Sequence, residues 1–151
     1  MKLAEALNER ADIQRRIAQL KDRLRDNAKV QEGEAPSEDP EVLFGEINRL
    51  FVRLEELIVR INKTNMATVD ENNETLVELI ARRDCWIKRV RILEDFADHA
   101  GMLTVRMTRS EIKVKSTVNI HEKRQEADAL SRDIRKLDIH IQQLNWLTEL
   151  K

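Results

Sequence analysis

The sequence has few of the residues that interrupt helices or build β-sheets. Its 151 residues include three glycines, two prolines and no tyrosine, and aromatic residues make up only 3%. Sandwiches and barrels need turn residues and aromatic side chains, so this composition argues against both. The charged fraction is 36%, which together with these absences favours long amphipathic helices.

Cysteine and long apolar runs are also scarce. The single cysteine, Cys85, excludes an internal disulfide and a cysteine-built metal site, and it favours a cytoplasmic location. The longest stretch without a formal charge, residues 139–148, is far shorter than the roughly 18 apolar residues of a membrane span. The charged start does not resemble a signal peptide. A net charge of −1 gives no overall attraction to nucleic acid or an anionic membrane.

Apolar residues recur every three or four positions through most of the chain. Residues at this spacing form one stripe of a helix, which must be buried against another helix. The clearest runs are Leu3, Ala6, Ile13, Ile17, Leu20 and Leu24 near the start, and Ile120, Ala127, Leu130, Ile134, Leu137, Ile141 and Leu144 near the end. Residues 43–61 carry a wider stripe, suited to a bundle interior, formed by Leu43, Phe44, Ile47, Leu50, Phe51, Leu54, Leu57, Ile58 and Ile61.

Capping signals divide the pattern into four helices. Ser37 or Asp39 can cap helix two, Thr75 begins a capping box for helix three, and Asn119 can cap helix four. We predict helices over about 2–31, 40–64, 75–101 and 119–148, with connections short enough to favour antiparallel neighbours. The predicted fold is all-α: one domain over 1–151, an antiparallel up-down-up-down four-helix bundle with coiled-coil-like packing.

Residues 102–118 change period. Leu103, Val105 and Met107 alternate with polar residues, and the alternation resumes at Ile112 and Val114, which predicts a β-hairpin before the last helix. Two interpretations stay open. The hairpin covers one end of the bundle as a structural crossover, or it forms an oligomerisation or ligand-binding arm that exposes Arg106, Arg109, Lys113 and Lys115.

The side chains that could act in catalysis or bind a metal ion form no recognisable motif. His99, His121 and His140 lack the Glu three positions earlier that di-iron bundles use, and no histidine lies near Cys85 in sequence. We therefore predict no catalytic residue, no metal ligand and no cofactor. Helix three carries a basic patch, for which a solvated face is the favoured interpretation and nucleic-acid contact the less favoured one: Arg82, Arg83, Lys88, Arg89 and Arg91.

Four strings together resemble known proteins: NAKVQEGE (27–34), INKTN (61–65), RSEIKVKSTV (109–118) and LNWLTEL (144–150). Along essentially its whole length the chain resembles the septicolysin-like family of small bacterial helical proteins, whose function is uncharacterised. The resemblance implies a bacterial source and no established active site. It directs attention to polar residues within the strings, which we take as candidate binding residues: Asn27, Gln31, Asn62, Asn65, Arg109, Glu111, Lys113 and Asn145.

The predicted topology groups these candidates at the bundle ends. Asn62, Asn65 and Asn145 should meet at one end, sealed by Trp146, with the others and the hairpin at the opposite end. The favoured function is a structural or interaction protein that self-associates through helix faces and the hairpin. The alternative is a binding protein for a nucleic acid or a small anionic ligand. A metal-dependent enzyme within the bundle is a remote alternative.

Overall fold

The secondary structure of the protein consists of α-helices. The computed structural model describes residues 1–102 and 115–151, which contain α1 (Leu3–Asp26), α2 (Pro40–Ala67), α3 (Leu76–Gly101) and α4 (Ile120–Leu147). Isolated β-bridges occur between described residues, but no strand does. The all-α class with four long helices is therefore confirmed. Assembly into one up-down-up-down bundle with coiled-coil-like packing, like the single-domain assignment, stays a prediction.

Side-chain caps explain where two of the helices begin. The Asp39 carboxylate accepts a hydrogen bond from the Glu41 backbone N–H at 2.9 Å, and Pro40 occupies the first turn of α2. Asn119 caps α4: its side-chain oxygen accepts from the Glu122 N–H at 3.3 Å, and its amide donates to the Glu122 carboxylate at 2.8 Å. Both caps satisfy backbone donors that lack a partner in the first turn of a helix.

The predicted end of helix one, at about residue 31, was wrong, because α1 ends at Asp26. The Asn27 amide donates to the Arg23 carbonyl at 2.9 Å, and its oxygen accepts from the Glu38 N–H at 2.9 Å. The Arg23 guanidinium also forms an ion pair with Glu38. The side chain of Asn27 thus closes α1 by bonding both the last turn and the following loop, so the helix cannot continue through it.

The connection after α2 is shorter than predicted, since the helix continues to Ala67 instead of ending near residue 64. The following loop is organised by the Asp70 carboxylate, which accepts from the backbone N–H groups of Asn72 and Glu74, both at 2.9 Å. Such side-chain bonds stabilise a turn locally. Consequently Asn65, which lies beyond the predicted end of helix two, belongs with Asn62 to the last turns of α2.

The chain forms two compact units, residues 1–75 with 143–151 and residues 76–142. In the first unit α1 and α2 pack on each other, with Leu20, Leu43 and Ile47 in the core and Leu24 and Leu50 packed against them. Ion pairs join the two helices at Glu9–Arg53, 2.7 Å, and Arg16–Glu46, 2.8 Å, and Arg23 of α1 pairs with Glu38 in the loop before α2. Residue numbers rise along α1 as they fall along α2, so the two helices are antiparallel.

The last four residues, 148–151, form what we call the C-terminal strap of the first unit. Lys2 and Glu149 form an antiparallel β-bridge, in which the Leu3 N–H donates to the Thr148 carbonyl at 2.9 Å. The Lys2 ammonium lies 2.7 Å from the Glu149 carboxylate, and this contact lowers the pKa of Glu149. Backbone and side-chain bonds together therefore hold the strap against the start of α1.

The end of the strap is bonded to α2. The Lys151 N–H donates to the Thr64 hydroxyl at 2.9 Å, and the Arg60 guanidinium donates to the Lys151 carbonyl at 2.9 Å. Thr64 is fully buried, and its hydroxyl also donates to the Arg60 carbonyl at 2.8 Å. One threonine hydroxyl thus uses both its donor and its acceptor capacity to connect helix and strap.

In the second unit, ion pairs join α3 to α4. They are Arg83–Asp138 at 3.4 Å, Arg89–Glu126 at 2.8 Å, and Asp98–Arg124 at 3.1 Å. The numbers again run in opposite directions, so these helices are also antiparallel. The predicted hairpin over 102–118 lies largely on residues 103–114, outside the described residues. Its described end gives it no support: residues 115–118 form no strand, and the Ser116 hydroxyl instead donates to the Val118 carbonyl at 2.9 Å.

The strap bond can be tested with Thr64→Val, which keeps the side-chain shape and removes the hydroxyl. We expect a loss of about 1–2 kcal/mol in the free energy of unfolding, because the Lys151 N–H loses its acceptor. Urea unfolding followed by circular dichroism measures this loss. Thr68→Val is the matched control: its hydroxyl donates only to the Thr64 carbonyl one turn earlier, at 2.8 Å. Equal losses in the two variants would contradict a role for the strap.

The Arg23–Glu38 pair should make stability depend on pH. The hydrogen bond from the Arg23 guanidinium holds the pKa of the Glu38 carboxyl below its ordinary value of 4.5. The pair therefore contributes stability above that value, and the contribution is lost as the pH falls towards the lowered pKa. We expect the urea midpoints of the wild type and Glu38→Gln to differ at neutral pH and to converge in acid. Glu34→Gln, which breaks no ion pair within the described residues, should show no such convergence.

Candidate interaction surface

The side of α2 that does not face α1 is rich in exposed apolar residues. The exposed fractions are 49% for Phe44, 52% for Phe51, 71% for Val52, 39% for Ile58, 44% for Val59 and 69% for Met66. Single exposed apolar residues are common on protein surfaces, but a concentration of them along one side of a helix is typical of an interaction site. This set is therefore the strongest candidate for a functional surface in the described part of the chain.

The expectation that the whole wide stripe of helix two lies in the interior was wrong for Phe44, Phe51 and Ile58. The buried residues of α2 include Leu43 and Ile47, which pack with Leu20 of α1. The stripe of α1 is narrow and has exposed residues on both flanks. It therefore covers only part of the apolar surface of α2, and the flanking residues stay in contact with water.

The exposed residues form two rows along α2. Phe44, Phe51 and Ile58 are seven residues apart, as are Val52, Val59 and Met66. Seven residues are almost two full turns, so each row runs nearly parallel to the helix axis, and the two rows lie about 100° apart around it. Between them lies a polar row of exposed residues. We call this surface the outer face of α2; the members of the polar row are Asn48, Glu55 and Asn62.

Gly45 continues the second row towards the start of α2, seven residues before Val52. A glycine within a helix is less favourable than alanine by about 1 kcal/mol. Apart from its chain neighbours and the surrounding backbone of its own helix, no atom of the described residues would lie within 4 Å of a Cβ atom added at Gly45. Packing within the described chain therefore does not require this glycine. It leaves a gap in the outer face into which a side chain from another molecule could fit.

The candidate binding residues suggested by sequence have dissimilar environments. Asn27 is half-buried and used in closing α1, whereas Gln31 is exposed. Asn62 is exposed on the outer face of α2, Asn65 is half-buried, and Asn145 is buried. The expectation that Trp146 seals an end was wrong, because 56% of this residue is exposed. The remaining candidates lie outside the described residues: Arg109, Glu111 and Lys113.

Ion pairs neutralise part of the basic patch of helix three. The Arg83 guanidinium lies 2.9 Å from Asp84 and 3.4 Å from Asp138, and Arg89 lies 2.8 Å from Glu126. Hydrogen bonds from Lys123 and from Arg89 lower the pKa of Glu126, so this carboxylate is charged at neutral pH. The other members of the patch are Arg82, which is half-buried, and Lys88 and Arg91, which are exposed. Paired arginines leave less positive charge for a phosphate backbone.

Metal and membrane chemistry find no support in the described residues. Within 1–102 and 115–151, no group of three or more His, Cys, Asp or Glu side chains is arranged to hold a metal ion. No helix there has a stretch long and apolar enough to cross a bilayer.

An open pocket of about 380 Å³ in the second unit contains the Asp98–Arg124 ion pair. Its other lining residues are Glu94, Asp95, Ala97, Ala127 and Asp128.

Simple spacing could have identified the second row of the outer face. Val52, Val59 and Met66 recur every seven residues, but the stripe that predicts the core does not include these positions. Thr64 was also missed. Its partner Lys151 is 87 residues away in the chain, and no local pattern indicates such a contact.

Comparisons with known proteins place the chain in a family without revealing an activity. No curated protein matches it. A crystal structure of a functionally unknown conserved protein from Corynebacterium diphtheriae is 41% identical, with a TM-score of 0.92, over 100% of this chain and 99% of that one. The resemblance to septicolysin-like proteins stays a prediction. A family model described as a family of unknown function, DUF6847, matches residues 10–150, and the chain belongs to this family.

Proposed function

We propose that this protein is a non-enzymatic structural or interaction protein that associates with itself through the outer face of α2. The observation that carries the proposal is the pair of exposed apolar rows on this face. A helix with more apolar surface than its own unit covers can bury the excess against another molecule. The repeat of seven residues supports a helical partner, because it is the spacing with which packed helices interdigitate.

Other exposed apolar residues in the described chain carry less weight. Ile92 and Phe96 lie on α3, and Ile139 lies on α4. They do not form two rows that follow a helix for several turns. The outer face of α2 is also adjacent to a well-packed core, which holds the helix in place before any partner binds. A surface that is already ordered loses less conformational entropy on association.

Self-association through the hairpin of residues 102–118 stays a prediction. The alternative function, binding of a nucleic acid or a small anionic ligand, depends on the basic patch of helix three. The pairing of Arg83 and Arg89 with carboxylates counts against that alternative and in favour of the interaction protein. The remote alternative, a metal-dependent enzyme, has no support in the described residues, because no group of them is arranged to hold a metal ion.

Truncation of the central side chain of the outer face tests the proposal. We expect Phe51→Ser to raise the dimer dissociation constant by about tenfold or more, because covering the exposed half of two rings contributes about 1.5–3 kcal/mol. Sedimentation velocity over a concentration series measures the constant. Val52→Ser should act in the same direction and disturbs the folded chain less, since Val52 is the more exposed residue.

The matched control is Phe96→Ser, which removes the same ring at a similar exposed fraction, 45%, from the second unit. We expect it to leave the dissociation constant unchanged. Circular dichroism establishes that each variant keeps its helices. The proposal fails if the wild-type protein stays monomeric at about 100 μM, or if Phe96→Ser weakens association as much as Phe51→Ser does.

A further inference from the structure

We infer that two copies of the chain pair with their α2 helices antiparallel, related by a two-fold axis close to Phe51 and Val52. This inference rests on the proposed self-association and adds the partner, its orientation and its register. In this register Phe51 lies opposite Phe51 of the other copy and Val52 opposite its counterpart. Because the axis lies near the middle of the rows, Phe44 of each copy lies beside Ile58 of the other.

Charges at the two ends of the face distinguish antiparallel from parallel pairing. Glu41 and Lys63 are both exposed, and neither side chain forms an ion pair within the described residues. Each lies eleven residues from Val52, on opposite sides of it. Antiparallel pairing about Val52 therefore places Glu41 of each copy next to Lys63 of the other. Parallel pairing would place Glu41 against Glu41 and Lys63 against Lys63, which is unfavourable.

Four other charged side chains of α2 form ion pairs, whereas exposed Arg49 and Glu55, like Glu41 and Lys63, form none within the described residues. Arg53 pairs with Glu9 and Glu56, and Arg60 pairs with Glu56. Nearer the start of the helix, Glu46 pairs with Arg16 of α1. These side chains satisfy one another within the first unit, whereas the opposite charges at the two ends of the outer face have no partner there. A second copy in antiparallel register supplies one to each.

The polar row gives the same orientation. Asn48 and Glu55 lie between the apolar rows, at similar distances on either side of the proposed axis. Antiparallel pairing brings the Asn48 amide of one copy to the Glu55 carboxylate of the other, where it can donate a hydrogen bond. Parallel pairing would bring two Glu55 carboxylates together within an interface, where like charges are costly.

Gly45 fits this register as well. It lies seven residues before Val52, and Val59 lies seven residues after it. Antiparallel pairing thus places Val59 of one copy over Gly45 of the other. The gap left by the missing side chain can receive the valine and allow a close approach of the helices. The end charges and the polar row therefore favour the antiparallel arrangement, and the gap at Gly45 is compatible with it.

Charge reversal tests the orientation. We expect Glu41→Lys alone and Lys63→Glu alone each to raise the dimer dissociation constant by about tenfold, since each replaces two attractive contacts with two repulsive ones. The double variant should restore association to near the wild-type value. Lys21→Glu, an exposed change of the same charge on α1, is the control and should have little effect. Single variants that associate like the wild type would overturn antiparallel pairing.

Cysteine cross-linking tests the register independently. In a Cys85→Ser background, which removes the exposed native thiol, Val52→Cys should form a disulfide-linked dimer under mild oxidation, whereas Val59→Cys should not. Parallel pairing would cross-link both positions. If the wild type dimerises and Phe51→Ser weakens it, but Val59→Cys links as readily as Val52→Cys, the orientation is wrong and the proposed function stands. A wild type that stays monomeric would overturn both proposals.

Discussion

The outer face of α2 is exposed because the apolar surfaces of the first two helices differ in width. α1 contributes a narrow stripe, centred on residues such as Ile13 and Leu20, and α2 carries a much wider one. Packing buries Leu43 and Ile47 between them and leaves Phe51 half exposed. Since apolar surface is driven out of water, the uncovered part of α2 is a source of association free energy. The proposed function follows from this excess.

The C-terminal strap holds the first unit in the state that presents this surface. It bonds the start of α1 through the Lys2–Glu149 bridge and the last turns of α2 through Thr64. Residues distant in sequence are thereby joined on the two sides of the α1–α2 pair. A helix fixed at several points changes little on binding, so its outer face can recognise a partner as a preformed surface. Stability and association are linked in this way through one helix.

Local signals made much of the fold predictable from the sequence. The caps at Asp39 and Asn119 fixed two helix starts, because a capping side chain bonds backbone groups only a few residues away. The end of α1 could not be predicted, since Asn27 closes it together with Glu38, eleven residues further on. The outer face was missed for a related reason: periodicity shows that a residue is apolar and on a stripe, but the width of the partner stripe decides whether it is buried. For the arginines of helix three, the sequence favoured a solvated face over phosphate contact, but it could not indicate that Arg83 and Arg89 pair with carboxylates of α4, because those partners are far away in the chain.

Isotope-filtered NOE spectroscopy on an equal mixture of labelled and unlabelled chains tests the central claim most directly, because it reports contacts only between different copies. The antiparallel α2 pair predicts intermolecular NOEs between the ring of Phe44 in one copy and the methyl groups of Ile58 in the other. Contacts between the two Val52 side chains should accompany them. Intermolecular NOEs confined to residues outside α2, or between Ile58 methyl groups of the two copies, would contradict the account.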